Sequence, residues 1–264
     1  VTVCDTDPVI RFRFDLQPLK DVEPWGGESP TLHWFALTSG WYWIEVGDHE
    51  LLRYADRTLR RWASEEGDSG APIPYVDYFV VRLWEDVLEM VSVLTEPVPV
   101  DLVDFVAGEL PGWASRDISP QAEAAGLWHA GHSMYTGPVT NAPHIRLWRT
   151  IIDGDDTVTI DWKQQPGSDI EFAAPATGRI VVPTTSFDAA VSEFDGALLA
   201  AMEERVTALV ASGPLPGVHL DLEHLRREQQ DRAAWLQRAR ARQVDTDWAA
   251  VRAGARELLA VEDA

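Results

Sequence analysis

His129 and His132 lie three residues apart in the segment 124–145, with Ser133 and Tyr135 just beyond them and His144 near its end. On a helix that spacing sets two imidazoles on one face, where they share a metal ion once a carboxylate joins them. With His144 as a third nitrogen and Ser133 and Tyr135 as hydroxyl groups beside it, the corresponding chemistry is a metal-assisted hydrolase or lyase, of a kind suited to secondary metabolism. The segment carries no charge between Glu123 and Arg146, so it would shield a ligand from water. Gly126, Gly131 and Gly137 argue for the plainer reading, a surface or half-buried loop whose histidines hydrogen-bond locally. A second grouping, His219-Leu220-Asp221-Leu222-Glu223-His224, reads as a helix start in which Asp221 caps the first turn.

Complete motifs are missing. The chain has no GxGxxG, GxxxxGK or HExxH. Gly131-His132-Ser133-Met134-Tyr135 begins like a nucleophile elbow but ends in tyrosine where close packing needs glycine. Asp153-Gly154-Asp155-Asp156-Thr157 has the look of a calcium loop, yet its sixth position is Val158, and a hairpin turn accounts for it better. Cys4 is the single cysteine, which excludes an intrachain disulfide and multi-cysteine metal sites. No cofactor is expected.

The densest aromatic stretch is Thr31–Tyr54, which holds Trp34, Trp41 and Trp43. Leu32, Trp34 and Ala36 alternate, and Tyr42, Ile44 and Val46 alternate against Trp41 and Trp43. This predicts an antiparallel meander with strands near 32–37, 41–46 and 50–54. Ile10, Phe12 and Phe14 form a short strand joining its sheet. Helical spacing predicts an amphipathic helix over 75–94, ended by Pro97 and Pro99, and a second from Thr185 or Ser186 to about Ala211. Between them, 145–152 and 157–163 flank an Asp-Gly turn, and 170–172 and 179–182 continue that sheet. Each half, 10–110 and 140–212, therefore has the order meander, then helix. The fold class expected is α+β: two antiparallel blocks, each packed by an amphipathic helix, forming a domain over 1–215, with a helical extension over 216–264.

Charge constrains partners. The 264 residues carry 43 acidic and 22 basic side chains, for a net charge of −21. Such a surface repels phosphate backbones and anionic headgroups, so neither duplex nucleic acid nor a membrane is expected as a partner. A basic protein is. Residues 226–242 hold six arginines, and these are expected to lie across the protein's own acidic surface. The start of the chain has no basic, apolar leader pattern, and a cytoplasmic location is expected. Of the twelve tryptophans, Trp25, Trp41, Trp43 and Trp113 are the candidate binding anchors, because exposed tryptophans dominate protein interfaces.

FRFDLQPL (12–19), EPWGG (23–27), LHWFALTSGWYWIEVG (32–47), RLWEDVLE (82–89) and IRLWR (145–149) together resemble an uncharacterised family of actinobacterial proteins, a domain of unknown function, over most of 10–212. The resemblance brings no catalytic residues with it. In composition the chain is also similar to the small acidic immunity proteins that neutralise polymorphic toxins. The function this implies is non-enzymatic binding and inhibition of a basic protein through an acidic, aromatic-rich surface.

Overall fold

Alternating apolar residues build the first sheet. In the computed structural model, which describes residues 9–66, 72–110, 112–115, 117–213 and 217–260, β1 (Ile10–Leu16) pairs antiparallel with β2 (Ser39–Val46), from Ile10 opposite Val46 to Leu16 opposite Gly40. Beyond β2 lie β3 (His49–Leu51), at its far end, and β4 (Val76–Phe79), opposite Ser39–Tyr42. Tyr42, Ile44 and Val46 are buried with Ile10 and Phe12 on one face, and Trp41, Trp43 and Glu45 stay part-exposed on the other.

Two expectations fail here. Residues 32–37 form no strand. Leu32, Trp34 and Ala36 are buried as their alternation requires, but through a turn leading into a 3-10 helix, Ala36–Thr38. The backbone of this segment bonds elsewhere: Leu32 N–H to the His219 carbonyl and Leu37 N–H to that of His33. Arg205 covers the Leu37 and Gln17 carbonyls, so the polar groups of the turn are satisfied without a ladder. The place on β2 goes to residues 76–79 instead, and the helix expected from Tyr75 begins as α2 at Val80 (Val80–Val93).

The second sheet follows the sequence more closely. β5 (His144–Ile152), β6 (Asp155–Lys163) and β7 (Thr177–Pro183) pair in that order. Asp153 and Gly154 both take positive φ, 55° and 94°, the two-residue turn whose twist suits a hairpin. Residues 170–172, expected as strand, contribute only an isolated bridge between Phe172 and Tyr54. The two sheets are separate.

Helices complete the layers: α1 (Asp56–Glu66), α3 (Val103–Ala107), α4 (Pro120–Gly131), α5 (Thr184–Ser212), α6 (Leu222–Arg232), α7 (Trp235–Ala241) and α8 (Trp248–Ala260). α4 replaces the loop expected around the histidines. Ser119 caps it by accepting from Ala122 N–H, and Pro120 occupies the first turn, where its missing N–H is no loss. Pro183, with no side-chain cap, precedes α5 in place of the expected Thr185 or Ser186, and Asp247 accepts from the amides opening α8. The larger core joins the inner faces of both sheets to α2 and α5. A smaller one gathers Trp148 from the opposite face of the second sheet with α3, α4 and α8.

The C-terminal helices lie on this body. Asp221 caps α6 as expected, accepting from His224 N–H. Gln229 of α6 takes the buried Trp34 indole N–H at 2.6 Å and donates to the Leu199 carbonyl. Arg232, 6% exposed, lies 4.3 Å from the Trp34 ring and 4.5 Å from the Trp235 ring, and pairs with Glu85 at 3.2 Å and Glu228 at 3.0 Å. A buried guanidinium needs this combination of rings and carboxylates to offset its lost hydration. The expected boundary at 215/216 and Cys4 lie outside the described residues. Among the described residues no helix is long and apolar enough to cross a membrane.

Candidate functional site

The outer face of the first sheet is ordered by its register. Paired residues share a face, so it reads as rows. Arg11, Glu45 and Glu50 form one. Arg13 and Trp43 form the next. Asp15, Trp41 and Asp77 form the third, with the indole between two carboxylates. Ser39 and Phe79 close the face.

Aromatic contacts run along these rows. Trp43 stacks on Tyr75 at 3.9 Å and 13°. At the other end Phe79 meets Phe35 at 4.8 Å and Trp25 at 5.2 Å, and Trp25 meets His33 at 4.5 Å. The rings order one another through edge and offset contacts, and so present a preformed surface. Trp25 is 44% exposed; Trp41, Trp43, Tyr75, Phe35 and Phe79 are part-exposed. The Trp43 indole N–H is buried without a hydrogen-bond partner among the described residues.

The electrostatics of the rows differ. Glu45 pairs with Arg11 at 3.4 Å and Arg13 at 3.3 Å, and Glu50 with Arg53 at 3.1 Å. The Tyr75 hydroxyl donates to Glu50, and desolvation together with that carboxylate raises its pKa. Asp15 and Asp77 have no cationic partner among the described residues. Desolvation by burial raises the pKa of Asp77, and the Trp41 indole N–H beside it offsets part of the rise.

Three of the four candidate anchors, Trp25, Trp41 and Trp43, thus share this face. Trp113 does not. It is part-buried against Gly126 of α4, where even a methyl group would meet its ring, and packs on the smaller core.

The histidines sit apart from this face. His129 and His132 are 4% and 3% exposed. The His129 Nε2 hydrogen-bonds the Gly108 carbonyl at 2.9 Å, and the His132 Nδ1 hydrogen-bonds the Trp128 carbonyl at 2.9 Å. Burial lowers the pKa of each to about 4, with Arg146 adding to the effect. Arg146, itself buried, donates to the Val106 and Gly108 carbonyls, so it and His129 close the C-terminal end of α3. His144 is part-exposed and its pKa is lowered by burial. Ser133 makes an isolated bridge to Arg146, and Tyr135 is 67% exposed. Among the described residues no three His, Cys, Asp or Glu side chains come together to hold a metal ion.

Sequence reasoning missed Asp86. It lies on α2 beside Tyr42 beneath the first sheet, and burial pushes its pKa up to about 7. Within RLWEDVLE nothing marks it out, because its desolvation comes from burial in the folded chain. The tail arginines divide: Arg227 and Arg238 pair locally with Glu223 and Asp231, while others, and Arg252 beyond them, reach across to the body. Arg240 pairs with Asp188, Arg242 with Glu89 and Arg252 with Asp101, each reaching back to an earlier element.

Comparison with known proteins gives one family. Residues 11–254 match the model of DUF5984, a family of unknown function, and the chain belongs to it. No curated protein and no solved structure matches.

Proposed function

We propose that this member of DUF5984 is a cytoplasmic, non-enzymatic binding protein that inhibits a basic protein partner, in the manner of an immunity protein. It engages that partner through the outer face of its first sheet. The observation that carries this reading is two preformed aromatic groups, Trp25–Phe35–Phe79 and Trp43–Tyr75, with Trp41 in the row between them, on an open sheet face of a chain with net charge −21. Rings ordered in advance supply contact area at little entropic cost. The negative field draws a cationic partner toward them, at a rate that falls as salt rises.

The test is capture of a partner by the tagged protein in cells of its source, followed by a salt titration of the complex. Trp25→Ala and Trp43→Ala are each expected to weaken it by roughly 30-fold, about 2 kcal/mol for an interface anchor. Tyr135→Ala, which removes an exposed ring elsewhere, should leave it unchanged. Retention of no protein at low salt, or of one indifferent to both tryptophan variants, overturns the proposal.

A further inference from the structure

We infer that the row Asp15–Trp41–Asp77 is a receptor for a guanidinium group, so that the partner presents an arginine side chain to it; this rests on the reading above that the face binds a basic protein. Four carboxylates on the outer face occupy two rows. Those of Glu45 and Glu50 are neutralised from within by Arg11, Arg13 and Arg53. Those of Asp15 and Asp77 flank an indole on both sides and have no cation of their own among the described residues. Both aspartates are exposed and Trp41 is part-exposed. The uncompensated charge of this face is therefore concentrated on either side of one aromatic ring.

That arrangement selects a particular cation. Neighbouring strands are ~4.8 Å apart, which sets the two aspartate backbones about 10 Å from each other with the indole between them. A planar guanidinium lying on the ring gains the attraction of its π face, and its edges carry N–H groups toward carboxylates on either side. An ammonium is a compact, strongly hydrated charge and engages the ring and one carboxylate less completely. Asp77 has already lost part of its hydration, so an arriving cation recovers interaction that water no longer supplies.

The molecule uses the same donor set internally. Arg232 is held between the Trp34 and Trp235 rings, at 4.3 and 4.5 Å, by Glu85 and Glu228. There the chain supplies its own arginine. At Asp15–Trp41–Asp77 the ring and carboxylates are present and the arginine is absent from the described residues.

The experiment uses the full chain with its tryptophan indoles labelled for NMR, the Trp41 signal being assigned through Trp41→Phe. At low ionic strength it is titrated with acetyl-Gly-Arg-Gly-amide and with the lysine and citrulline forms of that peptide. The arginine peptide is expected to shift the Trp41 indole signal in a saturable, salt-sensitive way, the lysine peptide more weakly, and the uncharged citrulline peptide not at all. Asp15→Asn with Asp77→Asn should weaken the arginine titration about tenfold or more; an unchanged melting temperature checks that this variant is folded. An equal response to arginine and citrulline, or a response confined to other indoles, overturns the inference. Partner capture separates it from the wider reading. If the Asn variant retains the partner as well as wild type does, the arginine receptor fails and the binding face stands. If wild type captures nothing while the arginine peptide still titrates Trp41, the binding role fails and the receptor stands.

Discussion

Asp86 is the carboxyl most displaced toward neutrality, and its effect on stability has a definite sign. Its pKa is about 7 in the fold, raised by burial, against ~3.9 in an unfolded chain. Its contribution is thus fully present below pH ~4 and lost as the pH rises through 7. His129 and His132 act in the opposite direction, because burial lowers both to about 4. Their contribution is present above ~6.5 and lost as the pH falls through 4. Asp86→Asn removes the first effect alone. It should stabilise the protein at pH 9 and change little at pH 4, each tenfold difference in proton affinity between fold and unfolded chain being worth about 1.4 kcal/mol. Urea unfolding at the two pH values measures it, and an equal effect at both contradicts the assignment. At this scale the sequence was legible in part. Alternation placed Trp41 and Trp43 on one face, and the spacing of His129 and His132 suited a helix. The carboxylates beside Trp41 were not legible, since only register makes Asp15 and Asp77 its neighbours.

Period served where it ran through a whole element and misled where a short segment imitated it, as at 32–37 and 75–79. The β5–β6 hairpin announces itself through Asp153-Gly154, and α5 through its long apolar ladder from Phe187 to Leu209. α4 has no apolar stripe. Its one buried face, Ala122, Ala125, Gly126 and His129, packs on α8, α3 and Trp113 through small residues and a histidine, while Leu127 lies exposed on the other side. Residues 32–37 erred in the other direction, because a turn that buries every second residue imitates a strand. The contact between α4 and α8 gives this scale its prediction. Gly254 lies against the Gln121 carbonyl and the Ala125 methyl, with no room for a Cβ. Gly254→Ala must therefore push α8 outward despite its better helix propensity, at a cost of about 1–3 kcal/mol. A lower melting temperature is expected; a higher one would mean that the helices separate freely.

For the molecule as a whole, the order of alternating and helically spaced segments pointed to α+β with a helical tail, and that is the architecture found. What periodicity could not convey is that both sheets share one core and that the tail closes it. Arg232, Arg240, Arg242 and Arg252 each tie a late helix or its flank to an earlier carboxylate, which turns local charge balance into long-range attachment. The Trp34–Gln229 hydrogen bond spans 195 positions of sequence. In a cell the chain is made from its N-terminus at ~5–20 residues per second, so Trp34 leaves the ribosome roughly 10–40 s before its partner exists. During that interval the Trp34 and Trp84 rings lack the side chains that later cover them, and the nascent chain is open to proteases and chaperones. Released chains ending at Asp221 should accordingly remain protease-sensitive, while those extended through Ala260 become resistant. Equal resistance of the two would show that the body matures without its tail. Translation speed along the whole stretch from Trp34 to Gln229 then sets how long each newly made copy stays vulnerable.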